Sequence, residues 1–222
     1  MTLRTAYPSD LIINSYISMD ILATLFGNKN IVKLMRLFLM NGEMGFSTDD
    51  ISARTKIAKN TLRPNVTRLK NIDFIKTASI IKEIPPKSKG GKVTKKRVDG
   101  FVLNQDFPFL SGLRLMLMSD HMVNKTEVVG RIKKAGQIKL IVLSGVFVRE
   151  NEGRVDILVV GDNIKKASLD GALKILESEV GKELSYAVMD TNEFNYRLGM
   201  YDKFIRDILD YPHEKLIDKI GL

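Results

Sequence analysis

The side chains of this 222-residue chain best suited to chemistry are cations, and they are crowded together. Residues 54–97 hold fourteen Lys and Arg against two acids, net +12, while the whole chain carries +9; residues 1–53 and 137–222 are mildly acidic. Such a density is what a polyanion-binding face requires, because each Lys or Arg set against a phosphate releases condensed counterions. Other chemistry is scarce. With no cysteine, the chain has no disulfide, thiolate metal site or thiol nucleophile. The two histidines, His121 and His213, stand too far apart in sequence for a histidine-based zinc site. Ser144-Gly145 lacks the Gly-x-Ser-x-Gly frame of a nucleophile elbow. Ser88-Lys89-Gly90-Gly91-Lys92 lacks the spacing of a phosphate-binding loop.

Those cations need elements to hold them. At 44% hydrophobic and 27% charged, the chain has enough apolar matter for one large core or two small ones. Ile31, Leu34, Met35, Phe38 and Leu39 follow helical spacing, and Asn41-Gly42 makes a stop. Ser47 followed by Thr48-Asp49-Asp50 predicts a capped helix to about Arg54, with Ile51 facing inward. Ala58–Asn71 reads as a third helix with the stripe Leu62, Val66 and Leu69; Asn60 is expected as its cap, which would place Pro64 in the first turn. Phe74–Lys82 is β-branched and reads as a strand, with Arg97–Leu103 as its return and a basic Pro/Gly/Lys tip between them. Three helices and a hairpin in this order predict a helix-turn-helix core with a wing.

Farther on, Pro108–Ser119 and Asn124–Ala135 read as helices connecting two domains. Gln137–Leu143, Arg154–Val160 and Glu183–Met189 read as strands and Ala167–Val180 as an amphipathic helix, while Thr191–Leu209 and His213–Ile220 are expected to be mostly helical. The fold class is therefore α+β: a winged-helix domain over 1–104, a helical linker over 105–136, and a small α/β domain over 137–222.

In helix-turn-helix proteins the later helix enters the major groove while its apolar stripe pins it to the domain. Here that leaves Lys59, Asn60, Thr61, Arg63, Asn65, Thr67, Arg68 and Lys70 toward solvent or DNA. Arg and Asn can grip base edges through two hydrogen bonds, and Lys and Thr mainly position phosphates. Arg63 and Arg68 are the expected carriers of sequence preference. Lys87, Lys89, Lys92, Lys95, Lys96 and Arg97 would lie against backbone or minor groove, with Gly90 and Gly91 allowing close approach. No aromatic residue lies between Phe74 and Phe101, which argues against base stacking and so against single strands. The patterns Phe46-Ser47-Thr48-Asp49-Asp50-Ile51, Asn60-Thr61-Leu62…Val66…Leu69 and Ile72-Asp73-Phe74-Ile75 resemble winged-helix transcriptional regulators over residues 18–104, with Asp73 where the family often has Gly.

Leu143-Ser144-Gly145 through Glu150, followed by Val155-Asp156-Ile157-Leu158-Val159-Val160-Gly161, resembles the minimal nucleotidyltransferase fold over about 137–222. The stretches Glu177–Leu184 and Asn192–Arg197 look like versions of that domain fused to winged helices. The resemblance implies a strand ending in Gly-Ser and two carboxylates one residue apart on the next strand, holding Mg²⁺, with a third on a later strand. Asp156 matches the second carboxylate, but Arg154 takes the place of the first and Val146 that of the phosphate-contacting Ser. The later strand offers Tyr186 and Val188, with Asp190 only at its end. Arg154 is expected to pair with Asp156, and the domain to be catalytically silent, without metal or other cofactor; a slipped alignment would give Glu152 the missing role.

The leading expectation is a double-stranded-DNA-binding regulator acting as a homodimer, since paired half-sites supply the usual affinity. Leu115-Met116-Leu117-Met118 is expected as packing or as part of a dimer contact. The alternatives are an active nucleotidyltransferase with a basic nucleic-acid-binding half, and a protein-docking module. The C-terminal domain would serve dimerisation, effector sensing or partner binding. With no secretion signal at Met1–Leu11 and no run of ~18 uncharged apolar residues, a cytoplasmic location and no membrane partner are expected.

Overall fold

The structure, a computed structural model, describes residues 21–84, 94–118, 123–149 and 153–222. The chain has two compact units. The N-terminal unit comprises Ala23–Met118 together with Glu177–Lys182; the C-terminal unit contains Ser119–Leu176 and Glu183–Leu222. Both are mixtures of helix and sheet, as an α+β chain requires. The stretch 105–136 is not an element of its own: the chain passes from one unit to the other within it, at 118–119.

The N-terminal unit is built on three helices, α1 (Lys29–Met40), α2 (Thr48–Thr55) and α3 (Lys59–Asn71), then a hairpin of β1 (Ile75–Ile84) and β2 (Thr94–Leu103), and α4 (Leu110–Leu117). Asn28 caps α1 by accepting from Ile31 N. Eight of the twelve α1 residues are buried, including every apolar position of the expected stripe, so this helix has almost no solvent face. Ser47 and Asp50 form a full capping box on α2, each side chain accepting from the other's backbone N–H. Phe38 meets Phe46 edge to face at 5.7 Å. The ladder runs from Ile75 opposite Leu103 to Ile84 opposite Thr94. Phe46 adds a short third arm, pairing both ways with Phe101 at 2.9 Å. That arm depends on Gly100, where a Cβ would stand 2.8 Å from both the Phe46 carbonyl and Ile80 Cδ1.

Helix α3 begins earlier than Asn60. Thr61 N and Leu62 N both donate to Ala58 O, so Ala58 is the cap, by its backbone alone. Pro64 is consequently the sixth residue of the helix, not part of its first turn. It is tolerated because it lies on the exposed side, where water can bond the Asn60 carbonyl that Pro64 leaves without a donor. At the other end Asp73 N donates to Lys70 O and Phe74 N to Leu69 O, a Schellman closure with Phe74 and Leu69 both buried. Asp73 holds φ 58°, the left-handed region that the glycine of the resembled pattern would adopt without strain.

Deep in this unit lies an arginine. Arg36 is fully buried on α1, its Nε donating to Leu117 O at 3.0 Å and its Nη1 to Glu179 O at 3.1 Å. Burial pushes its pKa down to about 10, opposed by the Glu179 carboxylate. Asn41 closes the same helix, its amide donating to Leu37 O and Gly181 O at 2.7 Å each.

The C-terminal unit carries α5 (Lys125–Ile132), a four-stranded sheet, and three further helices: α6 (Lys166–Val180, of which residues up to Leu176 belong here), α7 (Thr191–Gly199) and α8 (Lys203–Asp210). The strands are β3 (Gln137–Leu143), β4 (Ile157–Asp162), β5 (Tyr186–Met189) and β6 (Glu214–Asp218), in the order β5-β4-β3-β6. Only β4 and β5 run parallel, joined by α6 as such a connection requires. Every residue of β3 and β4 from Leu140 to Leu143 and Ile157 to Gly161 is buried, so the central strands are covered on both faces. Leu140, Val142, Leu158 and Val160 pack with Phe194, Ile205 and Ile208.

One of the two C-terminal expectations holds and the other fails. Thr191–Leu209 is mostly helical, as two helices, each begun by an aspartate, Asp190 and Asp202, whose side chain accepts from the first turn. His213–Ile220 is no helix: Glu214–Asp218 is an edge strand pairing with β3, Ile217 opposite Ile141. A five-residue segment with one buried residue has no period to separate helix from strand, and the open edge of β3 decided it.

Replacing Asp73 by Gly should raise stability by about 0.5–1 kcal/mol, by removing left-handed strain. Arg36→Ala should lower it by about 3–5 kcal/mol, since it strips two buried carbonyls of their donor and Glu179 of its countercharge. Urea unfolding of the two variants measures both, and an Arg36→Ala protein as stable as the parent would contradict the role given to the guanidinium.

Candidate nucleic-acid interface and the Asp156 node

Helix α3 turns one side inward and leaves the rest exposed. Leu62, Val66 and Leu69 are buried, as their spacing predicts, and Lys59, Asn60, Thr61, Arg63, Thr67, Arg68 and Lys70 are all exposed. Asn65 is the exception and corrects the outward placement. It is 8% exposed, accepts from Asn28 Nδ2 at 3.2 Å and donates to Thr61 O at 2.7 Å. Only one helical turn separates Asn65 from Thr61, so a side chain on that shoulder folds back to the backbone and ties α3 to the cap of α1. Its amide belongs to the scaffold.

On the hairpin, Lys95, Lys96 and Arg97 are exposed along β2. Lys87, Lys89 and Lys92 lie outside the described residues. Several cations have acidic neighbours: Lys59 with Asp49 at 2.6 Å, Lys76 with Asp106, Lys95 with Glu83 at 3.5 Å, and Lys82 with Asp50 at 2.6 Å. The Lys82 pair fixes the hairpin against the start of α2. Burial alone would raise the Asp50 pKa, but hydrogen bonds from Lys82 and from both groups of Ser47 overcome it and hold it below the usual carboxylate range. The other three pairs are exposed and individually weak, so those lysines can exchange their partner for a phosphate. Among the described residues, Arg63, Arg68, Lys70, Lys96 and Arg97 have no carboxylate partner. The guanidinium of Arg68 lies against Gly27, where a Cβ would meet Nη1 at 3.2 Å.

In the C-terminal unit the carboxylate that matches the nucleotidyltransferase pattern is otherwise engaged. Asp156 is buried; its Oδ1 accepts from Val146 N and its Oδ2 from Ser185 N, both at 2.9 Å. Its backbone is tied to the same neighbours, with Ser144 N donating to Asp156 O and Asp156 N to Ser185 O. One residue thus fastens the end of β3 to the starts of β4 and β5. Gly145 makes room for it: φ is 53°, and a Cβ there would fall 2.4 Å from Oδ1. The Ser144 hydroxyl donates to Val155 O.

Arg154 does not pair with Asp156. Its Nε donates to Asp207 on α8 at 2.7 Å, while each oxygen of Asp156 accepts from a main-chain donor instead. Asp190 caps α7 through Glu193 N and is likewise occupied. No group of three or more His, Asp or Glu able to hold a metal occurs among the described residues. Glu152 and His121 lie outside them, and His213 Nδ1 sits 2.9 Å from Tyr211 O. What the sequence missed was that Asp156 has strand ends, not a cation, for partners; Gly145 was the available signal.

Asp156→Ala should cost about 2–4 kcal/mol, by leaving two amides without an acceptor, and Asp156→Asn roughly half of that, because one oxygen remains. Thermal unfolding of both variants tests the node, and an unchanged midpoint in Asp156→Ala would refute it. Stability from the Asp50 box should be fully present above the ordinary carboxylate pKa and disappear as pH falls through the depressed folded value. An acid titration of the parent against Asp50→Asn, which lacks that step, reads this out. Compared with known proteins, the chain matches no family model, no curated protein and no solved structure.

Proposed function

We propose that this chain is a sequence-specific, double-stranded-DNA-binding transcriptional regulator. In this reading the N-terminal unit is a winged helix and the C-terminal unit a catalytically silent nucleotidyltransferase-like domain. The order of three helices and an antiparallel hairpin supports the first part, as does the Phe46–Phe101 bridge, which adds a third arm to the wing. The observation that carries the proposal is α3 itself. One stripe of it is buried, and its exposed remainder bears Arg63, Arg68 and Lys70 without carboxylate partners among the described residues. A helix pinned on one side and uncompensated on the other suits a duplex groove, where phosphates supply the missing negative charge.

The engagement of Asp156 supports silence in the C-terminal unit. Metal-dependent nucleotidyl transfer needs carboxylate oxygens available to Mg²⁺, and these two accept main-chain hydrogen bonds. A homodimer reading paired half-sites is part of the proposal. Phe109 and Leu115, 71% and 72% exposed around α4, are apolar surface that a second copy would cover.

Fluorescence anisotropy with a 25-bp duplex at roughly 50–200 mM salt tests the reading. The parent should bind with a steep negative salt slope, and the triple Ala variant of Arg63, Arg68 and Lys70 should flatten that slope by about 3. Absence of binding at the low-salt end would overturn the proposal. So would transfer of label from an NTP in the presence of Mg²⁺, for the silent domain.

A further inference from the structure

Helix α3 presents more than positive charge. At about 100° per residue, its buried residues Leu62, Asn65, Val66 and Leu69 define one inward direction. Opposite them, within about 30° of straight outward, stand Asn60, Pro64, Thr67 and Asn71. All four are exposed, and none is charged. The cations fall to either side: Arg63, Lys70 and Lys59 at about 70–110° on one flank, and Arg68 at about 70° on the other, beside Thr61.

The hydrogen-bonding state of the amides sharpens this division. Within the same unit every described asparagine off this ridge except Asn30 has its side chain committed to the fold: Asn28, Asn41, Asn65 and Asn104. The Asn60, Thr67 and Asn71 side chains make no hydrogen bond among the described residues, although exposed helical Thr and Asn have backbone carbonyls within reach. Pro64 contributes to the same ridge by lacking an N–H, so the Asn60 carbonyl receives no donor from the residue four positions on.

A helix about 10–12 Å across nearly fills a major groove about 12 Å wide. Its outermost ridge then faces the base edges, while side chains at right angles to that ridge face the two phosphate walls. Resting on the duplex-DNA reading above, we infer that Asn60, Thr67 and Asn71 read bases, and that Arg63, Lys70 and Arg68 hold the backbone from both sides. This reverses the assignment that residue types alone favour, in which the arginines carry specificity. Asn pairs with adenine by donating to N7 and accepting from N6 only in one orientation of its amide, a two-point contact that no other base in the major groove satisfies. Thr67 and the Pro64 ring present methyl and methylene groups suited to thymine methyls. Asn60 and Asn71 are eleven residues apart, about 16 Å along the axis, which corresponds to adenines about three to five base pairs apart. The ligand is therefore an A·T-containing duplex half-site.

Selection from a random duplex library, followed by sequencing, tests the assignment with the full chain. Three proteins are compared: the parent, the Asn60→Ala/Thr67→Ala/Asn71→Ala variant, and the Arg63→Ala/Arg68→Ala variant. All replacements are at exposed helical sites where Ala favours the helix, so folding is preserved. The parent should enrich a motif containing the spaced adenines. The neutral-ridge variant should lose that motif, with discrimination falling about tenfold per adenine, and should keep its affinity for random duplex within about twofold. The arginine variant should keep the motif and bind every duplex several-fold more weakly. If the arginine variant loses the motif, or the ridge variant retains it, the ridge is not the reader, while the DNA-binding reading stands. If the parent binds duplex but enriches nothing, sequence-specific recognition and the ridge assignment both fall.

Discussion

A guanidinium without water is the constraint around which the N-terminal unit is organised. Arg36 sits on a helix with almost no solvent face, and carbonyls of Leu117 and Glu179 converge on its charge with the Glu179 carboxylate near. The two carbonyls that accept from its Nε and Nη1 come from segments 81 and 143 residues farther along the chain. Residues 177–182 therefore belong to the N-terminal unit as firmly as its own helices do. With α1 so held, Asn28 at its start reaches Asn65 on α3, and the position of the exposed helix follows from the position of the buried one.

The same economy governs the acids. Asp50 completes a capping box and grips Lys82 of the hairpin; Asp156 binds two amides at the junction of three strands; Asp190 and Asp202 begin helices. A carboxylate in a strand-rich domain invites a catalytic interpretation, yet its chemistry depends on what occupies its lone pairs. Main-chain N–H groups are strong, fixed donors, and a carboxylate accepting two of them is a structural fastener. Charge is thus distributed unequally: these four aspartates are held by the scaffold, while Arg63, Arg68, Lys70, Lys96 and Arg97 are left facing outward.

Charge supplies attraction without discrimination. On α3 the cations flank a ridge of neutral side chains, and the two sets are separated by the geometry of the helix alone. Phosphates repeat along any duplex, whereas a line of amides and methyl groups meets a different pattern on each sequence. Under the proposed reading, affinity and specificity are carried by different residues of a single thirteen-residue helix.

Most of this scaffold was legible in the sequence. The stripes of α1 and α3, the Ser47 cap, the hairpin strands and the apolar central strands are local patterns, and local patterns survive because burial selects one face of each element. The excess of positive charge in 54–97 likewise follows from composition. What the sequence could not contain was anything depending on a distant partner. Asn65 lies on the shoulder of the buried stripe and Asn60 nearly opposite it, but the partner that ties Asn65 to the scaffold, Asn28, comes from 37 residues away. Arg154 met Asp207 rather than Asp156, and the carboxylate nearer in sequence accepts instead from the amides of Val146 and Ser185. Glu214–Asp218 became a strand because β3 had an unpaired edge to offer. In each case the residue's own preferences allowed several outcomes, and the tertiary structure chose among them by supplying a hydrogen-bond partner that no local pattern encodes.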